Sequence, residues 1–174
     1  MERRSGTTVR HARPSELRHL AALEDSGAAQ FVELFGSAAV PALLAPAPSG
    51  LDRALQPGFV LVVGEPAYGF AHVVLHDGAA HLEQLSVHPA RQRQGHGAAL
   101  VRAAMEEARW SGHGELTLCT YRDVAWNGPF YRALGFTEVD EPARWLAALL
   151  AHERELGLHE NGVRVAMRIA LRNG

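Results

Sequence analysis

The chain has 174 residues and no lysine, so all 17 of its Lys-or-Arg positions are arginine. That excludes a Walker A loop, whose lysine reaches nucleotide phosphates, and pyridoxal-phosphate chemistry, which needs a Schiff-base lysine. Cysteine occurs once, at Cys119. No intrachain disulfide can form, and a reducing, cytoplasmic setting is expected. No apolar run approaches membrane-spanning length, and no apolar stretch follows the charged residues 1–6, so neither a membrane partner nor a leader is expected. A net charge of -2 lends nothing to a nucleic-acid partner. Apolar content of 47% and charged content of 21% are ordinary for a globular protein. The length fits one domain over 1–174, and no repeat, low-complexity segment or internal boundary interrupts it.

What the chain does have is concentrated in residues 81–114. His81-Leu82-Glu83-Gln84-Leu85-Ser86-Val87 reads as a strand, with Glu83, Leu85 and Val87 on one face by alternation. Pro89 ends it. A basic turn follows, with Arg91, Arg93, Gly95 and Gly97. Leu100, Val101, Ala104, Met105 and Ala108 then recur at helical spacing up to Gly112. Glycines let the backbone approach a ligand closely, and the free amides at a helix start attract an anion. Strand, Gly-containing turn and helix therefore make a candidate pyrophosphate site. It is not a dinucleotide fingerprint, because Leu100 stands where the third glycine would be.

The remaining pattern supplies the frame. Residues 7–11 read as a first strand. A helix opens at Pro14 and Ser15 with the stripe Leu17, Leu20, Ala21 and Leu23, and Gly27 stops it. Phe31, Val32, Leu34 and Phe35 suggest a second helical piece. Residues 41–58 are a proline-rich loop with a helical turn around 51–55, either a lid or an exposed connector. Strands are expected at 59–63 and 67–76. Asp77-Gly78 is a hairpin signal; a two-residue turn would put His72 opposite Glu83. Further on come a strand at 114–121, a helix at 126–134 with Gly135 as its C-cap, a strand at 136–139, a helix at 142–157, and a strand at 163–171 after Asn161-Gly162. The sum is a mixed α/β sheet with helices on both faces.

Three segments together resemble the GNAT superfamily of acetyl-CoA-dependent N-acetyltransferases. Gln92-x-x-Gly95-x-Gly97 is similar to its Q/R-x-x-G-x-G/A signature. Leu85-Ser86-Val87-His88-Pro89 resembles its fourth strand, and Asn127, Tyr131 and Leu134-Gly135-Phe136 resemble its later segment. The three span about 50 residues in the family's order. The resemblance implies a mostly antiparallel sheet whose fourth and fifth strands splay apart at the cofactor cleft, with a β-bulge near residues 83–85 as the sign. It implies acetyl-CoA as acetyl donor, no metal, and a small-molecule or peptide amine as acceptor. Cofactor-binding positions carried over are Leu85, Ser86, Val87, Gln92, Arg93, Gln94, Gly95, His96, Gly97, Ala98, Asn127 and Tyr131. Asn127 could instead cap the short helix.

The reaction so implied needs a neutral amine, a stabilised carbonyl oxygen and a protonated leaving thiolate. Glu83 is the candidate base, with His81 and His72 as rivals. Tyr131 is the candidate acid, a phenol of pKa about 10 facing a thiol of about 8.5. Backbone N–H groups near residues 85–87 would polarise the thioester. A covalent route through Cys119 is an alternative without an evident histidine partner. His152-Glu153 lacks the second histidine of a zinc helix, since Leu156 stands there. The acceptor wall is expected from 24–58 and 140–160, where Glu24, Asp25, Glu33, Asp140 and Glu141 could meet a cationic amine. The 142–157 helix departs from the plainest family pattern; it would cover the acceptor entrance or, like the last strand, supply a homodimer contact. The competing reading is an acetyl-CoA sensor that binds without turnover.

Overall fold

The computed structural model describes residues 7–172; residues 1–6 and 173–174, including the charged start of the chain, lie outside it. A seven-stranded sheet forms the middle layer. Its strands are β1 (Val9–His11), β2 (Gly58–Gly64), β3 (Ala67–His76), β4 (Ala79–Val87), β5 (Glu115–Tyr121), β6 (Thr137–Glu138) and β7 (Arg164–Ala170). Their spatial order is β1-β2-β3-β4-β5-β7-β6, antiparallel throughout except for the parallel pair β4–β5. The helices are α1 (Leu20–Asp25), α2 (Ala28–Phe35), α3 (Gly50–Leu55), α4 (His96–Trp110), α5 (Gly128–Ala133) and α6 (Arg144–Glu155). The opening helix at Pro14 begins as a 3-10 segment over Pro14–His19 before α1 continues it.

Strand alternation builds one core on each face of the sheet. Leu61, Val63, Ala71, Val73, Ala80 and Leu82 meet the α4 stripe of Leu100, Val101, Ala104 and Ala108 on one side. Their neighbours Val60, Val62 and Phe70 meet Leu20 and Leu23 of α1 on the other. His72 and His81 alternate with core residues and are each 2% exposed. Both therefore point to the face that α1, α3 and α6 cover. The β3–β4 hairpin closes as expected, with Asp77 and Gly78 at positive φ and His76 paired with Ala79.

Candidate active site

β4 and β5 pair in parallel from Ala80 with Leu116 to Leu82 with Leu118, and then part. At the parting point β4 carries an extra residue. Val73 pairs with Leu82 and His72 with Gln84, so Glu83 has no opposite number on β3. This is the β-bulge the resemblance implied. It overturns two expectations drawn from plain alternation. His72 lies opposite Gln84, not Glu83, although the turn has two residues. Glu83 also leaves the face of Leu85 and Val87. The added residue resets the period, so Ala80, Leu82, Leu85 and Val87 all pack toward α4. Glu83 instead sits beside His81, its Oε2 3.9 Å from the imidazole Nε2.

A cavity of about 820 Å³ opens where the strands separate, lined by Glu83, Leu85, Ser86 and Val87 from one side and by Cys119, Tyr121, Asn127 and Tyr131 from the other. The turn before α4 closes one end. Gly95 adopts φ +83°, where a side chain would be strained, and Arg93 adopts φ +60°. The first internal bond of α4 runs from the Ala99 N–H to the Gly95 carbonyl. The amides of His96, Gly97 and Ala98 are left without helical acceptors. A Cβ at Gly97 would meet nothing nearer than 3.5 Å, the Phe130 ring, so protein packing does not demand glycine there. A group laid against the backbone would. The fit to a diphosphate is therefore good, with Arg91 and Arg93 on the same cavity wall.

Other turn residues have different roles from those their positions suggested. The Gln92 amide donates to the Val87 carbonyl at 3.0 Å and exchanges bonds with Gln30 of α2 at 2.7 and 3.2 Å. Its side chain is used to hold the turn. Gln94 does not border the cavity; its Oε1 lies 3.3 Å from His96 Nε2. The His96 ring in turn packs edge-on to Tyr68.

The free strand donors can be assigned. The His88 N–H donates to the Tyr68 carbonyl at 2.8 Å. By alternation Ser86 also turns its backbone to β3, while Leu85 and Val87 direct theirs into the gap. The Val87 carbonyl is taken by Gln92, so its N–H and that of Leu85 remain to face the cavity. Asn127 stands at the N-cap position of α5 but makes no cap bond. Its Oδ1 accepts from the Tyr121 N–H at 3.4 Å, leaving the amide hydrogens.

Burial sorts the titratable groups. Glu83 is 40% exposed and borders the cavity; desolvation raises its carboxyl, with His76 and Arg53 pulling the other way. His81 is pushed down to about 3 by burial and by His76. His72 falls to about 4 through burial and the Arg53 charge, and its Nδ1 accepts from Arg53 Nη1 at 3.3 Å. Neither histidine borders the cavity. Burial raises the Cys119 thiol to about 12, with Glu153 adding to it, so it stays protonated and is a poor nucleophile. Burial also raises the Tyr131 phenol, whose hydroxyl has no hydrogen-bond partner among the described residues.

Of the acidic residues expected at the acceptor wall, Glu24 and Asp25 border the cavity, and Glu33, Asp140 and Glu141 do not. Phe31 of α2 and Trp126 stand near them with ring centroids 5.7 Å apart. Sequence reading missed Arg53. It is 5% exposed and ion-paired to Glu24, on the helical turn expected around 51–55 and seen as α3. The signal was Ser49-x-x-Asp52, where the Ser49 hydroxyl accepts from the Asp52 N–H and starts α3. Among the described residues, no group of three or more His, Cys, Asp or Glu is placed to hold a metal, and no helix is long and apolar enough to cross a membrane.

Residues 56–138, from just before β2 to the end of β6, match the acetyltransferase (GNAT) domain family. The matched stretch, 83 of the 174 residues, resembles a GNAT acetyltransferase domain. Solved structures share the fold across nearly the whole chain. The ribosomal-protein-S18-alanine N-acetyltransferase from Escherichia coli is 18% identical, with 97% of this chain and 96% of that chain covered and a TM-score of 0.65. The YncA protein from Salmonella typhimurium, solved with its cofactor acetyl-CoA, gives 19%, 98%, 96% and 0.65. The PaiA N-acetyltransferase from Thermoplasma acidophilum, in complex with coenzyme A, gives 14%, 95%, 99% and 0.66. The GNAT match includes the bulge, the turn and Tyr131, and stops before α6.

Proposed function

We propose that the chain is an acetyl-CoA-dependent N-acetyltransferase that moves an acetyl group to a primary amine by direct attack in a ternary complex. One observation carries this reading: a single cavity is bordered by His96, Gly97 and Ala98, then Leu85 and Val87, then Glu83 and Tyr131. Acetyl-CoA supplies an activated acetyl group on a thiol, joined through amides to a diphosphate. The free α4 amides, the helix dipole and the two turn arginines hold the diphosphate. The Leu85 and Val87 N–H groups and the Asn127 amide bind the amide-bearing arm, and one strand donor polarises the thioester carbonyl.

Glu83 takes a proton from the acceptor amine. Its raised carboxyl is a better base than an exposed glutamate. Tyr131 keeps its proton at physiological pH and donates it, or a hydrogen bond, to the departing sulfur. The acceptor is the amine of a small molecule or peptide, entering past Glu24, Asp25, Phe31 and Trp126. We read the chain as one domain over 1–174 in the cytoplasm. A homodimer contact falls to the outer face of α6 or to the part of β7 that the two-residue β6 leaves uncovered.

The test is thiol release from acetyl-CoA across a panel of primary amines, repeated with Glu83→Gln. Turnover with at least one amine, lowered about 100-fold or more by the substitution, is expected. Tight coenzyme A binding without transfer to any amine would favour the sensor reading.

A further inference from the structure

The side of β4 away from the α4 core holds a cluster of rings that the proposed reaction does not use. Trp145 of α6 stacks on His76, with centroids 5.1 Å apart and planes at 8°. It meets His81 edge-on at 5.4 Å and 86°. His81 is thereby clamped between the sheet and α6 at 2% exposure. Its Nδ1 lies 2.8 Å from the Thr117 hydroxyl, and that hydroxyl is also 3.3 Å from the Ala80 carbonyl.

The hydrogen count fixes the tautomer. Thr117 has one hydroxyl hydrogen, and a carbonyl can only accept. With hydrogen on His81 Nδ1, both contacts are bonds: imidazole to hydroxyl, hydroxyl to carbonyl. With hydrogen on Nε2, one of them is lost. The Nε2 lone pair therefore points out of the clamp, and the nearest carboxylate is Glu83, 3.9 Å away on the bulge. Rotation about the terminal torsion of the half-exposed Glu83, which is broad, brings the two within hydrogen-bond reach.

We propose that neutral His81 is the positioning residue for Glu83: its Nε2 accepts the hydrogen of the carboxylic acid formed when Glu83 takes the acceptor amine's proton. The inference rests on Glu83 being the base. The amine nitrogen loses the proton, a Glu83 oxygen gains it, and His81 shares it without becoming charged until it leaves through the cavity. A hydrogen bond to the neutral carboxyl raises the affinity of Glu83 for that proton. Other groups bear on the same carboxyl: His76 from β3, Arg53 from α3, Glu24 from α1 and Glu153 from α6. His81, held near 3, stays neutral above pH 5. α6, which lies outside the GNAT match, has by this account the role of keeping His81 dry and oriented.

The test is NMR on the protein alone. Carboxyl carbon titration reads the Glu83 midpoint, and imidazole nitrogen shifts read the His81 tautomer. We expect an unprotonated Nε2 at neutral pH. In His81→Phe the Glu83 midpoint falls by about one unit, the worth of one hydrogen bond, while that of Glu24, which a charged Glu83 pushes up, does not fall. Thr117→Val, which keeps the side chain's shape and frees Nδ1, moves it the same way by less, and decides the matter if His81→Phe does not fold. The acid limb of kcat/KM moves with the midpoint. A protonated Nε2 at neutral pH, or an unmoved Glu83 midpoint in the folded variants, overturns the proposal. If Glu83→Gln leaves kcat/KM and its acid limb unchanged, the base assignment fails, whatever the NMR shows.

Discussion

Gln30 and Gln92, 62 positions apart, exchange two side-chain hydrogen bonds of 2.7 and 3.2 Å. The pair ties α2 to the turn ahead of α4, and a third bond ties Gln92 to the end of β4. Gln92→Ala removes all three and Gln30→Ala removes two. At about 1 kcal/mol each, coenzyme A affinity should fall roughly 10-fold or more in the first and less in the second. Isothermal titration checks the order. Equal affinity in all three proteins would show that the turn does not need the brace.

Gly95 and Gly97 separate backbone need from ligand need. Gly95 sits at φ +83°, so Gly95→Ala should cost about 1 kcal/mol of stability as well as affinity. Gly97 is helical, and a Cβ there meets nothing closer than 3.5 Å. Gly97→Ala should leave the melting temperature unchanged or slightly raised while coenzyme A binding weakens. Thermal melts with and without coenzyme A measure both effects. Retained affinity in Gly97→Ala would remove the diphosphate from this turn.

Tyr131 packs edge-on between Phe130 and Phe136 and borders the cavity, and its hydroxyl has no hydrogen-bond partner among the described residues. Tyr131→Phe should therefore hold stability. If the phenol donates to the leaving sulfur, kcat should fall about 100-fold or more with little change in KM. A full kcat would end the acid role.

Folding stability should depend on pH through the two buried histidines. Their native values, about 4 for His72 and about 3 for His81, lie below the ordinary 6.5. The unfolded chain binds these protons first. The contribution is complete above pH 6.5 and is lost as pH falls toward 4 and then 3. The slope approaches two protons, about 2.7 kcal/mol per pH unit. Glu24 and Glu83, shifted up by burial, bind protons in the native state before the unfolded chain does and offset part of this loss. Glu16, held to about 2 mainly by its bond with Arg10, adds further loss between 4.5 and 2. Urea unfolding at pH 7, 5.5 and 4.5 measures the slope; a flat profile would mean that the histidines reach water.

Much of the frame could be read along the chain because its signals are local. Asp77-Gly78 makes its turn by backbone preference, Pro89 stops β4, and Leu100, Val101, Ala104 and Ala108 mark the buried stripe of α4 within a few turns of one another. The free amides before Ala99 follow from helix geometry alone. Tertiary structure decided the rest, because it concerns partners that no local pattern links. Plain alternation put Glu83 with Leu85 and Val87. The bulge that moves it arises where β4 must leave β5, a feature of the whole sheet. Arg53 reads as a charge on a short helical turn until α1 and β3 close over it with Glu24 and His72. His81 is an ordinary strand histidine in sequence. Only the packing of Trp145 and the single hydroxyl hydrogen of Thr117 direct one of its nitrogens at the proposed base.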